Sequence, residues 1–425
     1  MPFSVSAPRA ALAALLALLA GAAAATPRSA VDGIAQAIED RYYDEARAGQ
    51  IAAELRAAAT AGTFDALTDP RDLATALAER LRPSDAHFNV RWVDPAADAP
   101  RPAREAPPPE RERRGNYGIQ RVEVLPGNIG YLDLRLLAGF EFGEPDAPAR
   151  RAIEAALDLL SRTDGMILDL RQSPGGSPAM VGYLASAFTA RGKDVFNTFH
   201  GRNGRTMSEA PLDWYPSPRV EVPLFVLTSG RTGSAAEALA YTLQQSGRAR
   251  VVGQTTGGAA NPGDEVDAGD GFRVFVSVAT PVNPISRDNW EGRGVVPDIA
   301  APVDGATGKA QRLALAAILA RRPDATDARW VLDALQAADA PPKSIDTGRF
   351  VGHYGELRVR AEAGGLLLER GRRPPQLLLP LEGDLFSVAD DPTRRVAFQH
   401  DAAGAIVALE TLSSDGATTR HRREN

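Results

Sequence analysis

Ser234 occupies a position where a nucleophile is easily built. The apolar run Leu224-Phe225-Val226-Leu227-Thr228 ends in Ser229-Gly230-Arg231-Thr232-Gly233-Ser234 and passes straight into an alanine-rich stretch beginning Ala235-Ala236-Glu237. A strand that stops in a glycine turn before a helix puts Ser234 at a helix N-terminus. Unpaired backbone N–H groups and the helix dipole favour developing negative charge there. The same position also suits a serine that only caps its helix. A second apolar run, Gly165 to Leu170, leads into Arg171-Gln172-Ser173-Pro174-Gly175-Gly176-Ser177. Adjacent glycines let the backbone present N–H groups at close range, as an oxyanion site requires, although an ordinary tight turn reads the same way.

A serine needs a base to take its proton. The histidines are His87, His200, His353, His400 and His421. His353, His400 and His421 fall in the C-terminal region, His200 lies in the polar stretch Asn197 to Arg205, and His87 sits in Ser84-Asp85-Ala86-His87-Phe88-Asn89-Val90. Spacing alone leaves both His87 and His200 open.

The surrounding elements must bring these groups together. Residues 26–93 read as a helical subdomain, with apolar positions such as Ile34, Ile38, Ile51, Leu55, Leu73 and Leu77 at helical spacing and a helix start at Thr68-Asp69-Pro70. Residues 94–116, rich in proline, arginine and glutamate, read as an exposed loop. Between 117 and 302, strands (Ile129 to Leu134, Gly165 to Leu170, Leu224 to Thr228, Ala249 to Val252) alternate with helical stretches (Ala147 to Leu160, Pro178 to Phe188, Ser234 to Gln245), which predicts an α/β core. Residues 303–345 carry two further helical stretches, and from 346 to 425 a period of two with glycine punctuation predicts an antiparallel β domain.

Composition narrows the chemistry. The 425 residues carry a formal charge of −6 and no cysteine, which excludes disulfides, thiolate nucleophiles and cysteine-ligated metal sites. Of 48 basic residues all but Lys193, Lys309 and Lys343 are arginine, spread along the chain without a basic block, so nucleic acid is not an expected partner. Residues 1–25 combine Arg9, an apolar run from Ala11 to Leu19, and Gly21 with four alanines. That pattern predicts a signal peptide cleaved near Ala25 and a periplasmic or extracellular protein; the run is shorter than the roughly 20 residues of a membrane span.

Taken in order, these segments resemble the C-terminal-processing (tail-specific) serine protease family, in particular the branch of tricorn core proteases and interphotoreceptor retinoid-binding protein repeats. The resemblance rests on Asn116-Tyr117-Gly118 with Gly127-Asn128-Ile129-Gly130-Tyr131-Leu132, and on Leu168-Asp169-Leu170-Arg171 with Gly175-Gly176. It continues through Thr228-Ser229 with Thr232 and Ser234 to Glu237, then Val252-Gly253 to Gly258, and Glu291-Gly292-Arg293-Gly294-Val295-Val296-Pro297-Asp298. It implies a ClpP/crotonase-like α/β core of β-β-α units carrying a serine-type peptidase without cofactor or metal, acting on peptide or unfolded protein. The lysine base of the Ser–Lys type would fall on Ala259, which cannot serve. The tricorn-like arrangement instead implies Ser234 as nucleophile, His87 as base and Glu291 as its orienting acid, with the backbone of Gly175, Gly176 and Ala235 as oxyanion hole. Where that type has a serine directly before the histidine, Ala86 stands here, so either Ser84 or Asp85 assists or the role is absent. The proline-rich loop between Val93 and Tyr117 leaves no room for a PDZ module. The tail is similar to a small β domain appended to secreted serine hydrolases. Some retinoid-binding-protein repeats bind ligands without known proteolysis, so the alternative is a non-catalytic ligand- or peptide-binding protein.

Overall fold

Helix starts in the N-terminal part are written in local chemistry. Thr26 accepts the Ser29 N–H to open α1 (Pro27–Arg41), Asp44 accepts the Arg47 N–H to open α2 (Glu45–Thr60), and Asp69 accepts the Arg71 N–H to open α3 (Pro70–Leu81). Such caps satisfy N–H groups that the first turn leaves without partners. The computed structural model describes residues 26–95, 110–341, 345–362 and 365–424; the expected signal peptide and residues 96–109 of the proline-rich stretch lie outside them. After β1 (Asn89–Trp92), the described end of that stretch is not loop but a short helix, α4 (Glu110–Arg114), in which Arg113 and Arg114 pair with Glu110.

The core follows as β2 (Ile119–Leu125), β3 (Ile129–Leu134), α5 (Pro148–Leu159), β4 (Gly165–Asp169), α6 (Pro178–Ser186), β5 (Thr198–Gly201), β6 (Thr206–Ser208), β7 (Leu224–Thr228), α7 (Ala235–Gln245) and β8 (Arg250–Gly253). Then come β9 (Gly263–Gly269), β10 (Phe272–Ser277), β11 (Ala279–Val282), β12 (Ile299–Ala300), α8 (Ala306–Arg321) and α9 (Thr326–Asp339). A six-stranded sheet runs β12-β8-β7-β4-β3-β2, parallel throughout except for the β2–β3 hairpin. Strands β3, β4 and β7 are buried along their whole length, as expected of a parallel sheet covered on both faces. Alternate side chains divide between two apolar layers. Leu132, Leu168 and Val226 pack with Ile153, Val181 and Leu239 of α5, α6 and α7, whereas Ile129, Ile167 and Phe225 pack with Ala314, Leu315 and Ile318 of α8. The α/β class read from the alternation is the architecture observed.

Two smaller sheets flank this core. In one, β11-β5-β6, the strands are antiparallel; in the other, β1-β10-β9, the β9–β10 ribbon leaves the core and pairs with β1 of the N-terminal part. Phe272, Val274 and Val276 of the ribbon join Ile34, Leu55 and Leu77 in one buried cluster. Burying such a side chain contributes about 1.5–3 kcal/mol, so the ribbon is a substantial clamp between helices and core.

The tail is antiparallel, as its period of two predicts: β13 (Gly352–Tyr354), β14 (Leu357–Glu362), β15 (Gly365–Arg370), β16 (Gln376–Pro380), β17 (Leu385–Val388), β18 (Asp391–His400), β19 (Ile406–Ser413) and β20 (Thr418–Arg422), each paired with the next. The first and last strands meet through a Tyr354–Arg423 bridge and a 2.9 Å hydrogen bond from the Glu424 N–H to the His353 carbonyl, which closes the sheet into an eight-stranded barrel.

Candidate active site

The two glycine turns leave the sheet side by side at the carboxyl ends of β4 and β7, which pair in parallel up to Asp169 opposite Leu227. Hydrogen bonds lock the turns together. Thr232 Oγ1 donates to the Leu170 carbonyl at 2.8 Å, Ser229 Oγ to the Arg171 carbonyl at 2.6 Å, and the Gly233 N–H to the Ser173 carbonyl at 3.0 Å. Ser234 sits at the N-cap of α7, exposed, with φ 49° and ψ −123°. A non-glycine residue there is strained by about 1–3 kcal/mol and must be held by its surroundings. The hold comes from Glu237, whose Oε2 accepts the Ser234 N–H at 2.8 Å.

Gly175 and Gly176 have φ of +123° and +144°. A Cβ on Gly175 would lie 2.8 Å from Ser234 Cβ and 3.0 Å from the Ala235 nitrogen, and one on Gly176 only 2.1 Å from the Leu137 carbonyl oxygen. Glycine is therefore required at both by close approach as well as by conformation. Among the described residues the N–H groups of Gly175, Gly176 and Ala235 donate no hydrogen bond.

The histidine lies on a different part of the chain. His87 ends the turn after α3, and its N–H donates to Asp85 Oδ1 at 2.8 Å. Its ring nitrogen Nδ1 faces two carboxylates, Asp85 Oδ1 at 3.3 Å and Glu291 Oε1 at 3.6 Å, and its ring stacks on Phe275 of β10 with centroids 6.1 Å apart. Burial opposes a charge on the imidazole, but the two carboxylates outweigh it and push its pKa up to about 9. Burial would raise the Asp85 carboxyl, yet its contacts with His87 hold it below the ordinary carboxylate value. Asp85, His87 and Glu291 also bring one ligand atom each within 4.8 Å of one another, a donor set that could hold a metal ion. A protonated His87 itself supplies the positive charge that the two carboxylates face.

A strap of residues 256–261 joins the two halves. Buried Glu237 accepts hydrogen bonds from Thr256 Oγ1 (2.5 Å), the Gly258 N–H (2.7 Å) and the Ala259 N–H (2.9 Å) as well as from Ser234. The next two N–H groups, of Ala260 and Asn261, donate to Glu291 Oε2 at 2.7 and 3.0 Å, and Asn261 Nδ2 donates to Asp85 Oδ2 at 3.4 Å. Among the described residues no hydrogen bond joins Ser234 Oγ to His87; the strap is their connection.

The structure thus brings His87 and Glu291 together, and Ser234 together with Gly175 and Ala235. His200 stands apart, exposed on β5 opposite Thr280 and Thr206. Ser84 accepts from Arg47 at 3.3 Å, so of the two candidate assistants it is Asp85 that meets His87. Sequence reasoning missed the hub role of Glu237, although Ser234-x-x-Glu237 has capping-box spacing and was a usable signal. No spacing rule pointed to Asn261.

Residues 128–301 match the family model described as Peptidase family S41. The carboxy-terminal processing protease CtpA of Bacillus subtilis (strain 168) is 28% identical over 171 residues, 39% of this chain and 34% of the relative. A carboxyl-terminal-processing protease of Picosynechococcus sp. is 31% identical over 176 residues, 41% of this chain and 39% of the relative. The chain therefore spans little more than a third of the length of these curated relatives. Among solved structures, the photosystem II D1 C-terminal processing protease aligns with 66% of this chain and 94% of its own at 19% identity and a TM-score of 0.42. Residues 128–301 are thus similar to peptidase family S41, and the curated relatives matched there are carboxy-terminal processing proteases.

Proposed function

We propose that this protein is a periplasmic or secreted serine peptidase that hydrolyses peptide bonds through a Ser234–His87–Glu291 relay, without a PDZ module. Ser234 attacks the substrate carbonyl and His87 accepts the proton, then returns it to the leaving amine. Glu291 and Asp85 orient the ring through Nδ1 and stabilise its charged form. The free N–H groups of Gly175 or Gly176 and of Ala235 receive the oxyanion, a donor of this kind contributing about 3 kcal/mol in the transition state. The observation that carries the reading is the pairing of a strained, exposed serine at a helix N-terminus with a histidine held between two carboxylates on the same strap.

Because the carboxylates raise the His87 pKa, the resting enzyme holds an imidazolium at neutral pH, and the active fraction grows as pH rises toward about 9. Labelling with a serine-directed phosphonate, together with casein hydrolysis, tests the assignment. Wild type should react with both, Ser234→Ala with neither, and His87→Ala should lose about 10²–10⁴-fold in rate. Continued labelling of Ser234→Ala would refute the nucleophile, and an unreactive wild type would favour the ligand-binding alternative.

A further inference from the structure

Alternate residues of a barrel strand face inward, and in the C-terminal barrel these inward rows change character along the axis. Toward one end they are apolar and end on Phe350, whose ring lies 5.2 Å from Phe386 and 4.7 Å from Phe398, so that end is plugged. Toward the other end the same rows turn polar. Arg370 continues the row of Leu366 and Leu368, Arg394 precedes Val396 and Phe398, and Thr411 continues from Leu409. Across the sheet, Thr419 and His421 stand opposite Thr411 and Leu409. These side chains line a cavity of about 420 Å³ whose floor includes the buried Leu357 and Leu368 and whose rim includes Arg373.

An inward guanidinium in such a mouth calls for a counter-charge. Arg370 has one in Glu356 at 2.6 Å. Half-buried Arg394 and exposed Arg373 form no ion pair among the described residues. Three arginines against Glu356 and Asp390 in the lining leave a small positive surplus, which suits one negative charge better than a phosphate dianion. Guanidinium groups match the planar carboxylate with paired hydrogen bonds, and the leucine floor offers contact to an apolar body. Barrels of eight strands have room for one small ligand, and mouths of barrels are common binding sites.

We propose that the open mouth of the C-terminal barrel binds a small organic carboxylate, its acid group on Arg394 and Arg373 and its apolar part on Leu357 and Leu368. Calorimetric titration of the full chain with octanoate tests this, with octanamide as the uncharged analogue and inorganic phosphate as competitor. Octanoate should saturate one site per chain, octanamide should bind at least about ten-fold more weakly, and Arg394→Gln should weaken octanoate by a similar factor. Arg373→Gln, on an exposed turn where folding is not at stake, should weaken it by at least about three-fold, a fraction of what a charge-assisted hydrogen bond contributes. Phosphonate labelling at Ser234 should be unchanged in both variants. Absence of saturable octanoate binding, unchanged affinity in Arg373→Gln, or displacement of octanoate by phosphate at equal concentration would each overturn the proposal.

Discussion

The two halves of the candidate site are made in opposite ways. The nucleophile half consists of two strand–turn segments, Asp169 to Ser177 and Thr228 to Glu237, each continuous with a strand of one parallel sheet. Each segment carries its own devices just past its strand end, Gly175 and Gly176 on one, the strained Ser234 and its Glu237 partner on the other. The base half gathers Asp85, His87, Asn261 and Glu291 from three separated segments. It stands only if the helical part is clamped by the β1–β10 pairing, Asn89 opposite Phe275 and Val90 opposite Val274. A local motif folds wherever its strand folds, whereas an assembled one depends on docking. Displacement of the helical part would therefore separate the base from the nucleophile while leaving the nucleophile turn intact.

The strongest challenge to this contrast is Gly175→Ala. Its added Cβ meets Ser234 Cβ at 2.8 Å and the Gly233 carbonyl oxygen at 2.9 Å, so the phosphonate-labelling rate should fall by about 10²–10³-fold, as on loss of an oxyanion donor. A wild-type rate in that variant would remove the nucleophile half from the chemistry. Glu291→Gln should cost about 10–100-fold in the rate measured at pH 8. It should also shift the rising limb of the pH–rate profile to lower pH, because one of the two carboxylates that raise the His87 pKa is gone. An unmoved limb would mean that Glu291 does not act through His87. Asp85→Asn should move the limb the same way with a rate loss of about three- to ten-fold, well below the roughly 10²–10⁴-fold contributed by a proton-transfer group itself, because Asp85 acts only through His87.

The smallest effect concerns stability and has the opposite sign to activity. The folded pKa of His87, about 9, lies above its ordinary value of 6.5. Its interactions with the two carboxylates therefore add stability that is fully present below about pH 6.5 and is lost as pH climbs through about 9. Thermal midpoints of wild type and His87→Gln, compared across pH 6 to 10 in roughly half-unit steps, should converge over the window in which wild-type activity rises. Parallel midpoints would show that the base half carries no such charge coupling.

Much of the frame was legible from local signals. Asp69 before Pro70 marks the start of α3, and β3 and β7 occupy the spans their apolar runs outline, since a strand buried on both faces must be apolar throughout. The period of two in the tail shows antiparallel strands but not the closure through Tyr354 and Arg423, because pairing between the first and last strands leaves no mark on either. The excursion of β9 and β10 is equally silent. Val266, Phe272 and Val274 alternate as any half-buried strand would, and nothing in that alternation names the N-terminal helices as the partner.

By itself the sequence determined which groups are available: a serine after a glycine turn, adjacent glycines on a second turn, no thiol anywhere, and alanine instead of lysine at position 259. These are matters of residue identity and short-range backbone geometry, which the chain specifies directly. Residue spacing left His87 and His200 open, and the family resemblance implied His87 with Glu291. The tertiary structure puts His87 beside Glu291, takes Asp85 rather than Ser84 as its second partner, and makes Glu237 hold both Ser234 and the strap. Those outcomes depend on charges from distant segments meeting at 3–4 Å in a partly dehydrated site, where Coulomb interactions are strong and distance, not sequence separation, sets their size.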